Sequence, residues 1–295
     1  MRILILGGTG MLGHKIHDVL SHDHDVVSTA RSPLSALPVE SGAFFQRGRV
    51  IEGVDATDLD GLDGLVSGFA PDAVFNCVGV VKQRREAGDS AISIAVNALL
   101  PHQLAELCAA RGARLIHFST DCVFSGAKGD YIESDPSDAT DLYGRTKYLG
   151  EVARDGALTI RTSIIGRELD HFGSLVEWFL RQRGAIKGFT GAIYTGVTTI
   201  RMASIVDRIL VEHPELTGVY QVASAKITKF DLLTMIRDRF GLEDQVSIAP
   251  DDGLLSDRSL VGKSFSAATG IDMPSWSEMV DELAEDSKRY GSVTT

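Results

Sequence analysis

The spacing of apolar residues changes twice before Arg31. Ile3-Leu4-Ile5-Leu6 is an unbroken apolar run closed by Gly7-Gly8-Thr9-Gly10. Such a run suits a strand covered on both faces of a parallel sheet. From Met11 the period lengthens, and Leu12, Ile16, Val19 and Leu20 fall on one helical face. Val26 to Ala30 then reads as a second strand, completing a right-handed βαβ unit. The alternation continues through predicted strands at 50–54, 73–78, 114–119 and 158–162. Predicted helices lie at 89–111 and 143–154. This rhythm predicts a doubly wound parallel α/β sheet of the Rossmann type. Beyond Gly166 it weakens. Helical periodicity survives at 174–183, 199–212, 229–240 and 274–290, with short strands at 218–222 and 246–248. We therefore expect a dinucleotide-binding domain over 1–166. A smaller α/β lobe should cover 167–295, with some of its segments returning to the sheet.

The glycines suggest what the first half holds. Gly7-Gly8-Thr9-Gly10-Met11-Leu12-Gly13 lies between a strand and a helix. Absent side chains let backbone approach a pyrophosphate, and a helix N-terminus offers amides and a positive dipole end. Gly7, Thr9, Gly10, Met11, Leu12 and Gly13 are thus expected to cradle the cofactor. Arg31 and Ser32 follow the second strand, where an acidic residue would select a ribose hydroxyl and a cation a 2′-phosphate. NADPH is the cofactor this predicts, with NADH as the other option. Asp55, after the third strand, is placed to hold the adenine amino group. Asn76, Cys77 and Val78 end the fourth strand at the same edge.

Tyr143-Gly144-Arg145-Thr146-Lys147 sets a phenol and an ammonium one helical turn apart. A phenol titrates near 10, and a neighbouring cation favours its phenolate, so Tyr143 is expected to exchange a proton with a carbonyl oxygen. Thr120, at a strand's C-terminal end, offers a second hydroxyl to that oxygen, with Asp121 and Cys122 beside it. Pro101 interrupts a periodic helix and frees the Asn97 carbonyl. The kink should turn Asn97 toward the site.

At this point the chain resembles the extended short-chain dehydrogenases/reductases, and among them the dTDP-4-dehydrorhamnose reductase-like nucleotide-sugar reductases. The likeness rests on the glycine segment 7–13, on Ser119-Thr120-Asp121-Cys122-Val123-Phe124-Ser125-Gly126, on Gly129-Asp130-Tyr131-Ile132-Glu133 and on Tyr143 to Glu151. It implies Thr120, Tyr143 and Lys147 as the catalytic set. It also implies that Arg161 faces the nicotinamide and that the substrate is a ketone on a nucleotide-linked sugar, as used in cell-surface polysaccharide biosynthesis. The chain departs from the family pattern at Cys122, where a tyrosine is common, and at Tyr194-Thr195-Gly196-Val197-Thr198-Thr199. Lys82, Gln83, Asp121, Cys122, Thr195 and Arg258 are the expected substrate contacts. An epimerase that retains NAD, a dehydratase and a non-catalytic cofactor-binding subunit are the competing readings. Arg31, Cys122 and the intact Thr120/Tyr143/Lys147 set count against them in turn.

Composition narrows the partners. A formal net charge of -11 disfavours nucleic acid. Cys77, Cys108 and Cys122 are odd in number and far apart, which predicts reduced thiols and a cytoplasmic protein. No apolar run is expected to reach the roughly 20 residues of a membrane span, and the N-terminus does not read as a signal peptide. His22-Asp23-His24-Asp25 lacks a third ligand, so no metal is expected. A homodimer is compatible with all of this.

Overall fold

The apolar runs of the first half lie side by side. The computed structural model describes residues 1–81 and 88–291. Its main sheet has seven parallel strands: β1 (Arg2–Leu6), β2 (Asp25–Ala30), β3 (Arg49–Glu52), β4 (Ala73–Asn76), β5 (Arg114–Thr120), β6 (Ala157–Thr162) and β7 (Gly218–Gln221). Their spatial order is 7-6-5-4-1-2-3. The order reverses between β1 and β4, and the crevice at such a reversal is where doubly wound sheets bind ligands.

Alternation along each strand feeds two cores. Ile3 and Ile5 point to one face, joined by Phe75, Ile116, Ile16 and Leu20. Leu4 and Leu6 point to the other, with Val74, Leu115, Leu100 and Leu104. Fully burying one such side chain is worth about 1.5–3 kcal/mol, so the alternation fixes the register of the sheet.

Four helices bear on the site: α1 (Gly13–Leu20), α2 (Leu59–Phe69), α3 (Ser90–Arg111) and α4 (Leu142–Leu149). α2 has no counterpart among the sequence expectations. Its apolar positions Leu62, Val66 and Phe69 do recur at helical spacing, and Asp58 caps it. α4 is shorter than the 143–154 expected. A Cβ on Gly150 would sit 1.9 Å from the Asn97 carbonyl oxygen, so the chain turns there against α3.

α3 is long and apolar enough, by length and composition, to cross a membrane, contrary to the expectation that no segment reaches that size. Its buried side, with Leu100, Leu104, Ala105 and Cys108, packs into the core of the sheet. At Pro101 the expected kink takes the form of a wide π turn over Ile94–Leu99. The proline has no N–H to bond the Asn97 carbonyl, and widening the preceding turn accommodates the gap.

The boundary at 166 does not divide two separate bodies. The helix Thr199–Glu212 buries Ile205, Val206 and Ile209 in the same core as Ile16 and Leu20 of α1. β7 extends the sheet beside β6. The remaining pieces of the second half form small sheets. Gly184–Phe189 pairs in parallel with Val246–Asp251, and Ala192–Tyr194 lies between Ile227–Thr228 and Ser256–Asp257.

Candidate active site

The glycine turn follows β1 at the sheet's C-terminal edge. Gly7 has φ +79°, which glycine adopts freely. A Cβ on Gly8 would meet that of Ser28 at 2.4 Å, and one on Gly13 would lie 2.1 Å from the Gly7 carbonyl oxygen. The turn therefore needs these residue types to close on β2 and on itself. No side chain caps α1, whose N-cap is Leu12, so the helix presents backbone rather than a capping side chain to a ligand. Gly7 packs against Cys77 and Val78 at the end of β4, which brings those two into the crevice. Asn76 is turned elsewhere: its side chain holds the Val78 amide and the buried His117 ring.

Arg31 and Ser32 are exposed at the end of β2. Asp55 lies near enough to Arg31 for the guanidinium to help hold its carboxyl below the usual range, after the larger effect of its bonds from the Thr57 amide and hydroxyl. The carboxylate expected on adenine thus forms a local turn with Thr57, on the same side of the crevice as Arg31.

Thr120, Tyr143 and Lys147, the expected catalytic trio, are brought together by a close contact between elements. Thr120 ends β5, where its hydroxyl accepts from the Cys122 amide at 3.1 Å and donates to Asp121 at 3.1 Å. α4 presses on this turn: a Cβ on Gly144 would sit 2.2 Å from the Cys122 carbonyl oxygen. Glycine after Tyr143 therefore lets the phenol reach Thr120, and the two side chains hydrogen-bond. One turn further, the Lys147 ammonium donates to the Phe118 carbonyl at 2.6 Å. Burial lowers its pKa to about 8, with Glu151 and Cys77 opposing the fall.

The electrostatics of Tyr143 differ from the expectation. Burial pushes its pKa well up, and Cys122, Asp121 and Asp141 push the same way against the Thr120 bond. The protein by itself holds Tyr143 as a neutral acid.

Two further residues act through contacts rather than at the reacting atoms. Asn97 clamps Val80 through both backbone groups at 2.9 Å and reaches the Thr146 hydroxyl at 3.3 Å. It ties the end of β4 to α4 rather than pointing at a cofactor. Arg161, expected at the nicotinamide, is buried under Phe124 and paired with Glu151 at 2.7 Å. Glu151 also receives the Ser119 hydroxyl at 2.6 Å, so this pair braces β5 and β6 beneath Thr120.

The second half reaches the site through Ser256–Asp257 and the residues after it. Close approach at Gly126 and Gly129 lets this segment dock, and the Asp257 amide bonds the Gly126 carbonyl at 2.8 Å. Arg258 is held by the Phe124 carbonyl at 3.0 Å and lies 4.0 Å from the Cys122 sulfur. Thr195 is buried, and its hydroxyl takes the Leu260 amide at 2.9 Å, so it fastens the segment instead of facing substrate. Its neighbour Tyr194 turns to the opposite face. Burial raises its pKa, Asp121 and Cys122 raise it further, and Arg258 opposes them. The sequence did not single out Tyr194 as facing Asp121, Cys122 and Arg258. Strand alternation between 194 and 195 was the available signal, but which of the two faced in depended on pairing with distant segments. Lys82 and Gln83 lie outside the described residues. Among the described residues no group of three His, Cys, Asp or Glu is placed to hold a metal.

Comparison with known proteins identifies the family and supports the fold. The family described as RmlD substrate binding domain matches residues 1–289. A dTDP-4-dehydrorhamnose reductase of Mycolicibacterium smegmatis is 31% identical over 173 residues, 56% of this chain and 46% of that protein, so the match spans less than half of that relative. Methionine adenosyltransferase 2 subunit beta of Danio rerio is 25% identical over 257 residues, 82% of this chain and 74% of that protein. The fold superimposes with a TM-score of 0.77 on a dTDP-4-dehydrorhamnose reductase of Bacillus anthracis in complex with NADP. That structure is 19% identical and covers 97% of this chain and 99% of its own. The chain belongs to the RmlD substrate binding domain family.

Proposed function

We propose that the protein reduces the 4-keto group of a nucleotide-diphospho-4-keto-6-deoxyhexose, dTDP-linked or a UDP-linked amino-sugar counterpart, with NADPH. The observation that carries this reading is the Thr120–Tyr143 hydroxyl pair, set at the same sheet edge as the glycine turn. The turn fits a dinucleotide on its own geometry, since a Cβ at Gly8 or Gly13 would break the cradle. Arg31 would take the 2′-phosphate. The cofactor, when bound, supplies the hydride to the carbonyl carbon.

The residues do the rest. Tyr143 gives its phenolic proton to the ketone oxygen, so carbonyl becomes alcohol with one hydride and one proton added. Reduction needs that acid protonated at the outset, and burial among Asp121, Cys122 and Asp141 keeps it so. Thr120 holds the same oxygen. Lys147 remains cationic below about pH 8 and replaces the proton deficit electrostatically as the phenolate forms. Tyr194, Cys122 and Arg258 line the substrate side, with Arg258 the cation for a diphosphate.

A second reading is a cofactor-binding subunit of another enzyme, because the Danio rerio relative matches over most of this chain and is named as a subunit. The intact trio favours the reductase. NADPH oxidation against a panel of dTDP- and UDP-4-keto-6-deoxyhexoses separates them. Consumption of one NADPH per sugar product supports reduction. Tight NADPH binding with no turnover on any member moves the assignment to the subunit.

A further inference from the structure

α1 carries three buried polar side chains, His14, Lys15 and His17, that the site described above does not use. His14 and Lys15 are 0% and 1% exposed. His14 Nδ1 lies 2.8 Å from the Gly10 carbonyl oxygen, and Nε2 lies 2.6 Å from the Tyr290 hydroxyl. A carbonyl only accepts, so Nδ1 bears the ring proton. Burial holds the ring neutral, with a pKa of about 3, so Nε2 is an acceptor and Tyr290 must donate to it. The chain of bonds is directed: Tyr290 O–H to His14 Nε2, then His14 Nδ1–H to the Gly10 carbonyl.

Tyr290 is held firmly at its end of this chain. Its ring lies 4.6 Å from that of Phe44 and under the Arg167 guanidinium at 4.8 Å. The preceding turn is fastened to α1 by charge. Lys15 sits between Asp18 at 3.0 Å and Asp286 at 2.8 Å, while Arg289 meets Asp18 at 2.6 Å. A lysine this buried without Asp286 would carry a heavy desolvation penalty, so the segment 286–290 stays docked. Phenylalanine would satisfy the ring packing at 290. The hydroxyl has one evident task, which is to hold His14.

Gly10 C=O and Met11 N–H belong to one planar trans peptide, so fixing the first fixes the direction of the second. We propose that Tyr290 is a positioning residue for the nucleotide turn, acting through His14 to aim the Met11 amide at the cofactor's diphosphate. The role of Met11 rests on the NADPH reading above.

The test compares wild type with Tyr290→Phe, which keeps the ring. Kd for NADPH should rise about two- to tenfold, the worth of one neutral hydrogen bond. Turnover at saturating NADPH and the melting temperature should stay close to wild type. In a His14→Leu background, Tyr290→Phe should add nothing further to Kd. An unchanged Kd in Tyr290→Phe, with wild type binding normally, overturns the proposal. So does a full additional effect in the His14→Leu background. If wild type binds no NADPH, the cofactor reading falls, and backbone ¹⁵N order parameters at Gly10 and Met11 decide the positioning role. A drop there on Tyr290→Phe sustains it, and unchanged values end it.

Discussion

The proposed cofactor side of the crevice and its proposed substrate side are built in different ways. The cofactor side is made of contiguous segments: 7–13 forms the turn, 118–122 ends a strand, and 143–147 starts a helix. Each brings its own glycine or hydroxyl, and short-range geometry sets most of the contacts. The substrate side is assembled from loops far apart in the chain. Arg258 leans on Phe124, Thr195 holds Leu260, and Tyr131 bridges Leu260. Chemistry held by local geometry changes in rate or cofactor affinity when cut. A wall held by distant contacts changes mainly in substrate affinity. The two sides should therefore separate in kinetics.

The largest effect belongs to the cofactor side. Tyr143→Phe should lower kcat by roughly a hundredfold or more, the usual worth of a positioned acid, with NADPH affinity nearly unchanged. Steady-state kinetics with a parallel NADPH titration check this. A near-normal kcat would reduce Tyr143 to a helix-surface residue.

Next comes the pH profile. Lys147 has a pKa lowered to about 8, so its cation is present below that value and lost above it. kcat/KM, which reports the free enzyme, should fall about tenfold per pH unit above that pKa. A profile flat to pH 10 would remove Lys147 from the mechanism.

Arg31→Ala should weaken NADPH roughly ten- to a hundredfold and leave NADH almost alone, because a charge-assisted phosphate contact is worth about 1.5–3 kcal/mol. Isothermal titration with both cofactors gives the answer, and equal losses for the two would defeat the 2′-phosphate assignment.

The smallest effect is expected across the crevice. Tyr194→Phe should raise KM for the sugar nucleotide by about two- to tenfold, one hydrogen bond's worth, with kcat and NADPH affinity held. A fall in kcat with KM unmoved would place Tyr194 among the reacting groups and erase the division between the two sides.

That division also explains which features were legible in the sequence. The strands at 3–6 and 73–76 could be read because a strand covered on both faces carries a near-continuous apolar run. The glycine turn and the Tyr143-to-Lys147 spacing were legible because their geometry is local. Arg161 was misplaced because its partner Glu151 lies across a strand pairing, and only the folded chain shows the two charges buried together. The Asn97 amide clamps Val80, a contact that depends on how β4 meets α3. The phenol of Tyr143 was expected to be drawn down by a nearby ammonium and the oxidised nicotinamide. In the protein alone burial pushes it up, and burial is not visible in a spacing of residues. In the second half, choosing Thr195 over Tyr194 depended on strand pairing with segments more than thirty residues away.

The account stands or falls on where the hydride goes. Deuterium on the transferring face of NADPH, supplied with a freshly made nucleotide-linked 4-keto-6-deoxyhexose, should appear at sugar C4, with one NADPH consumed per alcohol formed. Label at another carbon, or conversion of the sugar without NADPH consumption, would contradict it.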